Sequence, residues 1–146
     1  MKTESVIIFI AGLLIIYLFL GDNMAAKTIY DRIAQAIMEF EGYFQDSVSY
    51  KNNNPGNLKF AGQPGAVDQD RFGHAIFATF QDGWNALINQ VRRMLNGSSS
   101  LYPSTYTLTQ AMNRYAEANG NQYAIFISQR IGVDPSITLA ELNQMV

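Results

Sequence analysis

The most constraining feature of the sequence is an apolar run close to its N-terminus. Residues 6–20, VIIFIAGLLIIYLFL, contain no charged side chain and, apart from Tyr17, no strong hydrogen-bonding one. As a helix the run is about 22 Å long, against about 30 Å for the hydrocarbon core of a bilayer. Because flanking residues and local thinning of the bilayer make up such a difference, the run predicts one N-terminal transmembrane helix over residues 1–21.

Two other interpretations of this run fit less well. A secretory signal peptide has an apolar region of about 7 to 15 residues followed by a small-residue cleavage site. At the candidate sites near Ala25 and Ala26, however, Asn23 or Met24 stands where a small residue is needed. A helix buried inside a soluble core is the third interpretation, and a run that is apolar on all its faces argues against it.

The charges beside the run predict its orientation and the layout of the chain. Lys2 precedes the run and Asp22 follows it, so the positive-inside tendency keeps the N-terminus in the cytoplasm. Bilayer contact then falls on residues 5–21, and residues 22–26 form a linker of at most about 17 Å. Residues 27–146 form one extracytoplasmic domain, since a chain of this length suits a single hydrophobic core.

The composition excludes several classes of function. The net charge is −2, which gives no basic surface for a nucleic-acid partner. There is no cysteine for a disulfide or a thiolate metal site, and the single histidine, His74, argues against a histidine metal cluster or a Ser-His-Asp triad. Neither GxxxxGK[ST] nor GxGxxG occurs. We therefore expect no metal and no organic cofactor.

Hydrophobic periodicity predicts a mainly α domain, of the α+β kind, with a small β-hairpin or ribbon. Strand character falls on residues 58–60 and 75–80, joined by a polar, Gly-rich stretch. Thr138 with Glu141 three residues later is a capping box, which predicts a helix start. The predicted helices span residues 27–44, 81–96, 107–118, 121–131 and 138–145.

Glu41 is the side chain that the first predicted helix singles out. Its apolar stripe includes Phe40 and Phe44, and Glu41 lies just beyond the edge of that stripe, whereas Glu39 points to the opposite side. Partial burial favours the neutral acid and raises its pKa. Such a glutamic acid can protonate the bridging oxygen of a glycan. An ordinary glutamate at a helix end explains the same pattern without catalysis.

Three segments that follow Glu41-Gly42 carry a resemblance to a known family. They are NNPGNL at residues 53–58, GHAIFATFQDGWNALINQ at 73–90, and TLTQAMNRYAEANGNQYAIFISQRIGVDPSITL at 107–139. In this order the chain resembles the peptidoglycan-cleaving domains of the lysozyme-like superfamily from phages and bacteria, which include lytic transglycosylases and endolysins. The resemblance covers residues 33–142, and it implies a lysozyme-like helical domain that cleaves the MurNAc–GlcNAc β-1,4 bond of glycan strands.

The resemblance also implies a role for each matching residue. It places the catalytic acid on Glu41 and a supporting tyrosine on Tyr115 or Tyr123. Broader relatives carry Glu-Ser and Gly-Leu-Met-Gln, where this chain has Glu-Gly and Gly-Asn-Leu-Lys, so the contacts of that serine and glutamine do not carry over. The loop over the sugar at the cleaved bond falls on Asn53, Asn54, Gly56 and Asn57.

The number of carboxylates distinguishes the candidate reactions. A lytic transglycosylase works with one glutamate and forms a 1,6-anhydro product, whereas a hydrolytic muramidase or glucosaminidase usually needs a second carboxylate. Asp46, Asp68 and Asp70 are candidates for that group, and ordinary surface aspartates explain them equally well. A non-enzymatic glycan-binding virion protein is the third alternative. We expect the one-glutamate enzyme, phage-encoded, in a virion membrane or in a bacterial inner membrane facing the periplasm.

Other side chains permit two interpretations. His74 is expected to be structural, and Arg92 and Arg93 to form a solvated helix face or to contact peptide-stem carboxylates. Trp84 is expected in the core. Five tyrosines are candidates for a sugar-stacking groove or for the edge of the core: Tyr43, Tyr50, Tyr102, Tyr115 and Tyr123.

Overall fold

The computed structural model describes residues 27–146, so the predicted anchor and linker lie outside the described residues. Within residues 27–146, no helix is both long and apolar enough to cross a membrane. The described chain is mainly helical with one small sheet, as predicted. Its elements are α1 (Ile29–Phe40), α2 (Val48–Lys51), β1 (Ala66–Gln69), β2 (Ala75–Phe77), α3 (Phe80–Leu95), α4 (Leu108–Tyr115), α5 (Gly120–Ile131) and α6 (Leu139–Asn143).

Helix α1 is the central element of the core. A capping box between Thr28 and Asp31 begins it, because each residue satisfies a backbone N–H of the other. Ile33 and Ile37 are buried, and α1 packs against α3 and α5. The prediction that this helix extends to Phe44 was wrong. It ends at Phe40, and Phe44 is 66% exposed instead of lying on the apolar stripe.

Three of the later helices, α3, α4 and α6, begin at a threonine cap. Thr79, Thr107 and Thr138 each accept a hydrogen bond from a backbone N–H in the first turn of their helix. The capping box predicted at Thr138 is confirmed. Helices α4 and α5 form a tight hairpin, since a Cβ at Gly120 would lie 2.5 Å from the Asn113 Cα.

The small sheet is an antiparallel hairpin of β1 and β2, with a register irregularity after Ala66. Strand β1 falls in the Gly-rich stretch that was predicted to be only a connection. Three of its four residues are exposed, so it shows no alternation of apolar and polar residues. The predicted strand at residues 58–60 is reduced to one bridge between Lys59 and His74, and the predicted strand at 75–80 ends at Phe77.

Candidate active site

Glu41 lies at the point where α1 ends and the chain reverses direction. Gly42 adopts a left-handed conformation (φ +69°), and its N–H donates to the carbonyl of Glu39. The next N–H, from Tyr43, donates to the carbonyl of Met38. This is a Schellman motif, in which a residue that tolerates positive φ follows the C-cap. The Glu41-Gly42 pair therefore fixes the backbone position of the carboxylate.

The Glu41 carboxyl is partly buried against aromatic side chains. The Tyr123 hydroxyl donates to Oε1 over 2.9 Å, and the Tyr123 ring packs on Phe40 with 3.9 Å between the ring centroids. Burial raises the pKa of the carboxyl above its ordinary value of 4.5, because desolvation outweighs the side chains of Tyr123 and Asn57, which favour the charged form. The negative end of the α1 dipole acts in the same direction as burial. The carboxyl is therefore suited to hold a proton and donate it.

Two adjoining clefts meet at Glu41. One has a volume of about 390 Å³ and the other about 590 Å³, and Glu41, Asn57 and His74 line both of them. A carboxyl at the boundary of two clefts has space for a ligand on both sides. A groove of this kind fits a polymer chain that crosses the carboxyl, with one unit on each side of the bond that reacts.

The smaller cleft has two exposed phenylalanines in its lining. Phe44 is 66% exposed and Phe72 is 57% exposed. The Arg71 guanidinium lies 4.6 Å from the centroid of the Phe72 ring, a cation–π contact within the hairpin turn. Exposed apolar rings in a cleft suit the apolar face of a pyranose ring.

The larger cleft combines aromatic and charged side chains. Of the five tyrosines considered for a stacking groove, Tyr102, Tyr115 and Tyr123 line it, but Tyr102 and Tyr123 are buried at 5% and 1% exposure. Tyr43 and Tyr50 line neither cleft and pack against each other elsewhere, 5.4 Å apart between ring centroids.

Tyr115 and Tyr123 have different hydrogen-bond partners. Tyr123 donates to Glu41, whereas the Tyr115 hydroxyl donates to the carbonyl oxygen of Gly56 over 2.9 Å. The two rings contact each other edge to face. Of the two tyrosines that the resemblance offered, Tyr123 therefore contacts the acid, and Tyr115 fixes the loop beside it.

The asparagine loop mostly serves the fold. The Asn54 side chain is fully buried and makes three hydrogen bonds, to the N–H and carbonyl of Leu58 and to the carbonyl of Ala75. The Asn53 amide donates to the Phe77 carbonyl. Neither residue lines either of the two clefts, so the prediction that they bind the sugar rests on the resemblance alone. Their hydrogen bonds clamp the loop to β2.

The rest of this loop does reach the clefts. Asn57, in a left-handed conformation (φ +48°), lines both of them, and Gly56 lines the larger one. A Cβ on Gly56 would lie 2.7 Å from a methyl carbon of Leu87, so a larger residue here would have to displace that side chain of α3.

None of the three aspartates considered as a second catalytic carboxylate lines a cleft in the part of the chain that the structure describes. Asp46 and Asp68 are exposed. Desolvation raises the pKa of Asp70, but hydrogen bonds from the backbone N–H groups of His74 and Phe72 and from the Asn52 amide outweigh it and lower that pKa to about 2. Asp70 therefore remains ionised and occupied by its donors.

Sequence reasoning missed four residues of the clefts. His74, expected to be structural, does contact Asp70 with 3.2 Å between Nδ1 and Oδ2, but it also lines both clefts. Lys59 and Glu117 form an ion pair in the larger cleft, and Phe72 lines the smaller one. Only Phe72, an aromatic residue in a Gly-rich turn, carried a local signal. Arg92 and Arg93 are exposed and line neither cleft, and Trp84 is partly buried at the core edge.

Neither a scan against protein-family models nor searches of curated proteins and of solved structures returned a match for this chain.

Proposed function

We propose that this protein is a membrane-anchored peptidoglycan lytic transglycosylase of lysozyme-like fold, which cleaves the MurNAc–GlcNAc β-1,4 bond with Glu41 as its acid and base. The observation that carries the proposal is the Glu41 carboxyl, held at the boundary of two clefts with a raised pKa. The motif order from Glu41 to the C-terminal segment supports the same family. No metal or organic cofactor takes part in the proposed reaction.

In the first step, the neutral Glu41 carboxyl protonates the oxygen that links the two sugars. The C1–O bond breaks, the GlcNAc side leaves as an alcohol, and positive charge develops at C1 of the MurNAc ring. Glu41 becomes a carboxylate. The hydrogen bond from Tyr123 is stronger to this charged form than to the neutral acid, so it lowers the energy of the state that the step produces.

In the second step, the Glu41 carboxylate removes the proton from the C6 hydroxyl of the same MurNAc ring. The hydroxyl oxygen bonds to C1 and closes a 1,6-anhydro ring, and Glu41 recovers its proton. This sequence needs one carboxyl group. In the part of the chain that the structure describes, the other carboxylate that lines either of the two clefts at Glu41 is Glu117, which is 81% exposed and paired with Lys59. That arrangement favours transglycosylation over hydrolysis.

The predicted N-terminal anchor belongs to the same proposal. A domain joined to residues 1–21 by a linker of five residues, 22–26, would act within reach of the membrane surface. We propose a phage-encoded enzyme in a virion membrane, or in a bacterial inner membrane with the domain in the periplasm.

Digestion of purified sacculi, followed by mass spectrometry, tests the reaction. Wild-type protein is expected to release anhydro-muropeptides, and products with a free reducing end would show hydrolysis instead. Glu41→Gln is expected to lower the rate by about 10² to 10⁴-fold, because it removes the proton donor. Glu39→Gln is the matched control, since Glu39 lines neither cleft. Equal activity of Glu41→Gln and wild type, with unchanged circular dichroism, would refute the assignment of Glu41.

A further inference from the structure

Lys59 holds its ammonium group at the edge of the larger cleft through three contacts. Nζ lies 3.2 Å from the carbonyl oxygen of Phe72, 3.3 Å from Nε2 of His74 and 3.0 Å from Oε1 of Glu117. An ammonium group carries three hydrogens, so these contacts use all of them. The charge is therefore fixed in place even though its side chain is half exposed.

Two of the three contacts come from the hairpin turn and are themselves supported. The Asp70 carboxylate accepts from the N–H groups of Phe72 and His74 at 2.8 and 2.9 Å, and from the Asn52 amide at 2.9 Å. Its Oδ2 also lies 3.2 Å from Nδ1 of His74. When Nδ1 donates to Asp70, the lone pair of Nε2 is directed at Lys59. Asp70 and His74 thus position the ammonium group.

The third contact is of a different kind. Glu117 lies on the linker between α4 and α5, across the cleft from the hairpin, and its side chain is 81% exposed. Exposed ion pairs are weak and change an equilibrium by about five-fold at most. A ligand carboxylate can therefore replace Glu117 on Lys59, while the contacts to Phe72 and His74 remain.

We propose that Lys59 is a carboxylate-binding site of the larger cleft, and that Glu117 occupies it until a ligand carboxylate takes its place. The inference rests on the proposed function, and its ligand is a glycan strand with acidic substituents. The carboxylate is that of the lactyl ether of MurNAc or one of the attached stem peptide. The lactyl carboxylate is attached directly to the sugar ring, so this source places MurNAc in the larger cleft and the uncharged GlcNAc in the smaller cleft, beside Phe44 and Phe72.

Calorimetric binding to the full chain tests this site, with Glu41→Gln as the background that prevents cleavage. Three strands are compared: a chitin oligosaccharide without carboxylates, amidase-treated glycan with free lactyl carboxylates, and peptide-bearing glycan. Lys59→Met is expected to weaken binding of at least one acidic strand by about two- to five-fold. Glu117→Gln is expected to tighten the same strand by about two- to five-fold, because it removes the competing carboxylate. Binding of the chitin oligosaccharide should change with neither substitution.

The controls remove the same charges elsewhere. Lys51→Met and Glu39→Gln change residues that line neither cleft, and they should leave all three affinities unchanged. The acidic strand that responds identifies the source of the carboxylate. If Lys59→Met and Glu117→Gln change the affinities for all three strands by the same factor, the ion pair has only a structural role, and the proposal is overturned. If all three strands bind with equal affinity in every variant, the Lys59 site is overturned and the proposed function stands. If no strand binds, both the Lys59 site and the proposed function are overturned.

Discussion

The hydrogen bond from Tyr123 to Glu41 provides the sharpest test of the site, through Tyr123→Phe. The substitution keeps the ring, which packs 3.9 Å from Phe40 between centroids, and removes only the hydroxyl that donates to Oε1 over 2.9 Å. Tyr123 is 1% exposed, so its ring keeps a buried position when the hydroxyl is removed. The variant therefore isolates the interaction of one hydroxyl with one carboxyl.

The size of the effect depends on the charge of Glu41. A hydrogen bond to a neutral group contributes about 0.5 to 1.5 kcal/mol to stability, and one to a charged group about 1.5 to 3 kcal/mol. Burial raises the pKa of Glu41 in the folded protein above its ordinary value of 4.5. The neutral acid therefore contributes its full stability below pH 4.5, and this stability is lost as the pH rises through the raised pKa. Without the hydroxyl the carboxylate is less favourable, and the pKa rises further. The loss of stability in Tyr123→Phe should therefore grow from about 1 kcal/mol in acid to about 2 kcal/mol or more in base.

Urea unfolding across a pH series measures how the loss of stability in Tyr123→Phe depends on pH. The pH profile of sacculus cleavage measures how the same substitution shifts the pKa of the proposed catalytic acid. The alkaline limb of that profile, where the acid loses its proton, is expected at higher pH in the variant. Tyr115→Phe is the matched control, since its hydroxyl donates to the uncharged carbonyl of Gly56 over 2.9 Å. Its loss of stability should not change with pH. Combining Tyr123→Phe with Glu41→Gln should remove the pH dependence as well.

Two results would refute the reasoning. If Tyr123→Phe lost the same free energy of unfolding at every pH, its hydroxyl would not distinguish the two forms of Glu41. If the alkaline limb moved to lower pH, the hydroxyl would favour the neutral acid, and the sign assigned to the hydrogen bond would be wrong.

Two further predictions concern the scaffold of the site. Gly83→Ala should lower the free energy of unfolding, measured in urea, by about 3 kcal/mol or more, because the new Cβ would lie 1.8 Å from the Asn53 carbonyl oxygen. A loss below about 1 kcal/mol would contradict this close approach. Asn85→Ala, at an exposed position of the same helix, should change it by less than about 0.5 kcal/mol. Asp70 has a lowered pKa, so its contribution to stability is present above the ordinary value of 3.8 and is lost as the pH falls toward about 2. Asp70→Asn should flatten this acid limb of the stability curve and Asp68→Asn should not; an unchanged limb in Asp70→Asn would be inconsistent with its hydrogen bonds.

Local rules predicted the position of Glu41 well. The helical wheel placed its carboxyl at the margin of the core, and partial burial with a raised pKa confirms that environment. The same wheel failed three residues later, at Phe44. The spacing of apolar residues does not reveal the Schellman motif at Gly42. This motif reverses the chain before Phe44, so Phe44 does not lie on the apolar stripe of α1. This turn removes Phe44 from the core and places it in the smaller cleft.

The rest of the site depends on contacts between residues far apart in sequence. Tyr123 and Tyr115 are indistinguishable by local pattern, and only the packing of α5 on α1 brings Tyr123 to a carboxyl 82 residues away. Turn chemistry does not reveal the hydrogen-bond partners of the Asn53 and Asn54 side chains. Their hydrogen bonds reach backbone groups of β2, up to 24 residues away.

The contrast between Glu41 and Asp70 shows why one carboxylate of this region can work as an acid and the other cannot. Asp70 accepts from two backbone N–H groups, the Asn52 amide and His74, so four donors stabilise its charge and keep its pKa at about 2. Glu41 accepts from the Tyr123 hydroxyl, and burial dominates its pKa. When their environments move the pKa values of two carboxyl groups apart, one group can act as an acid while the other stays ionised. Asp70 is a permanent anion that holds His74 and, through it, the Lys59 ammonium group. In the proposed reaction, Glu41 is the carboxyl that gives up a proton and takes one back.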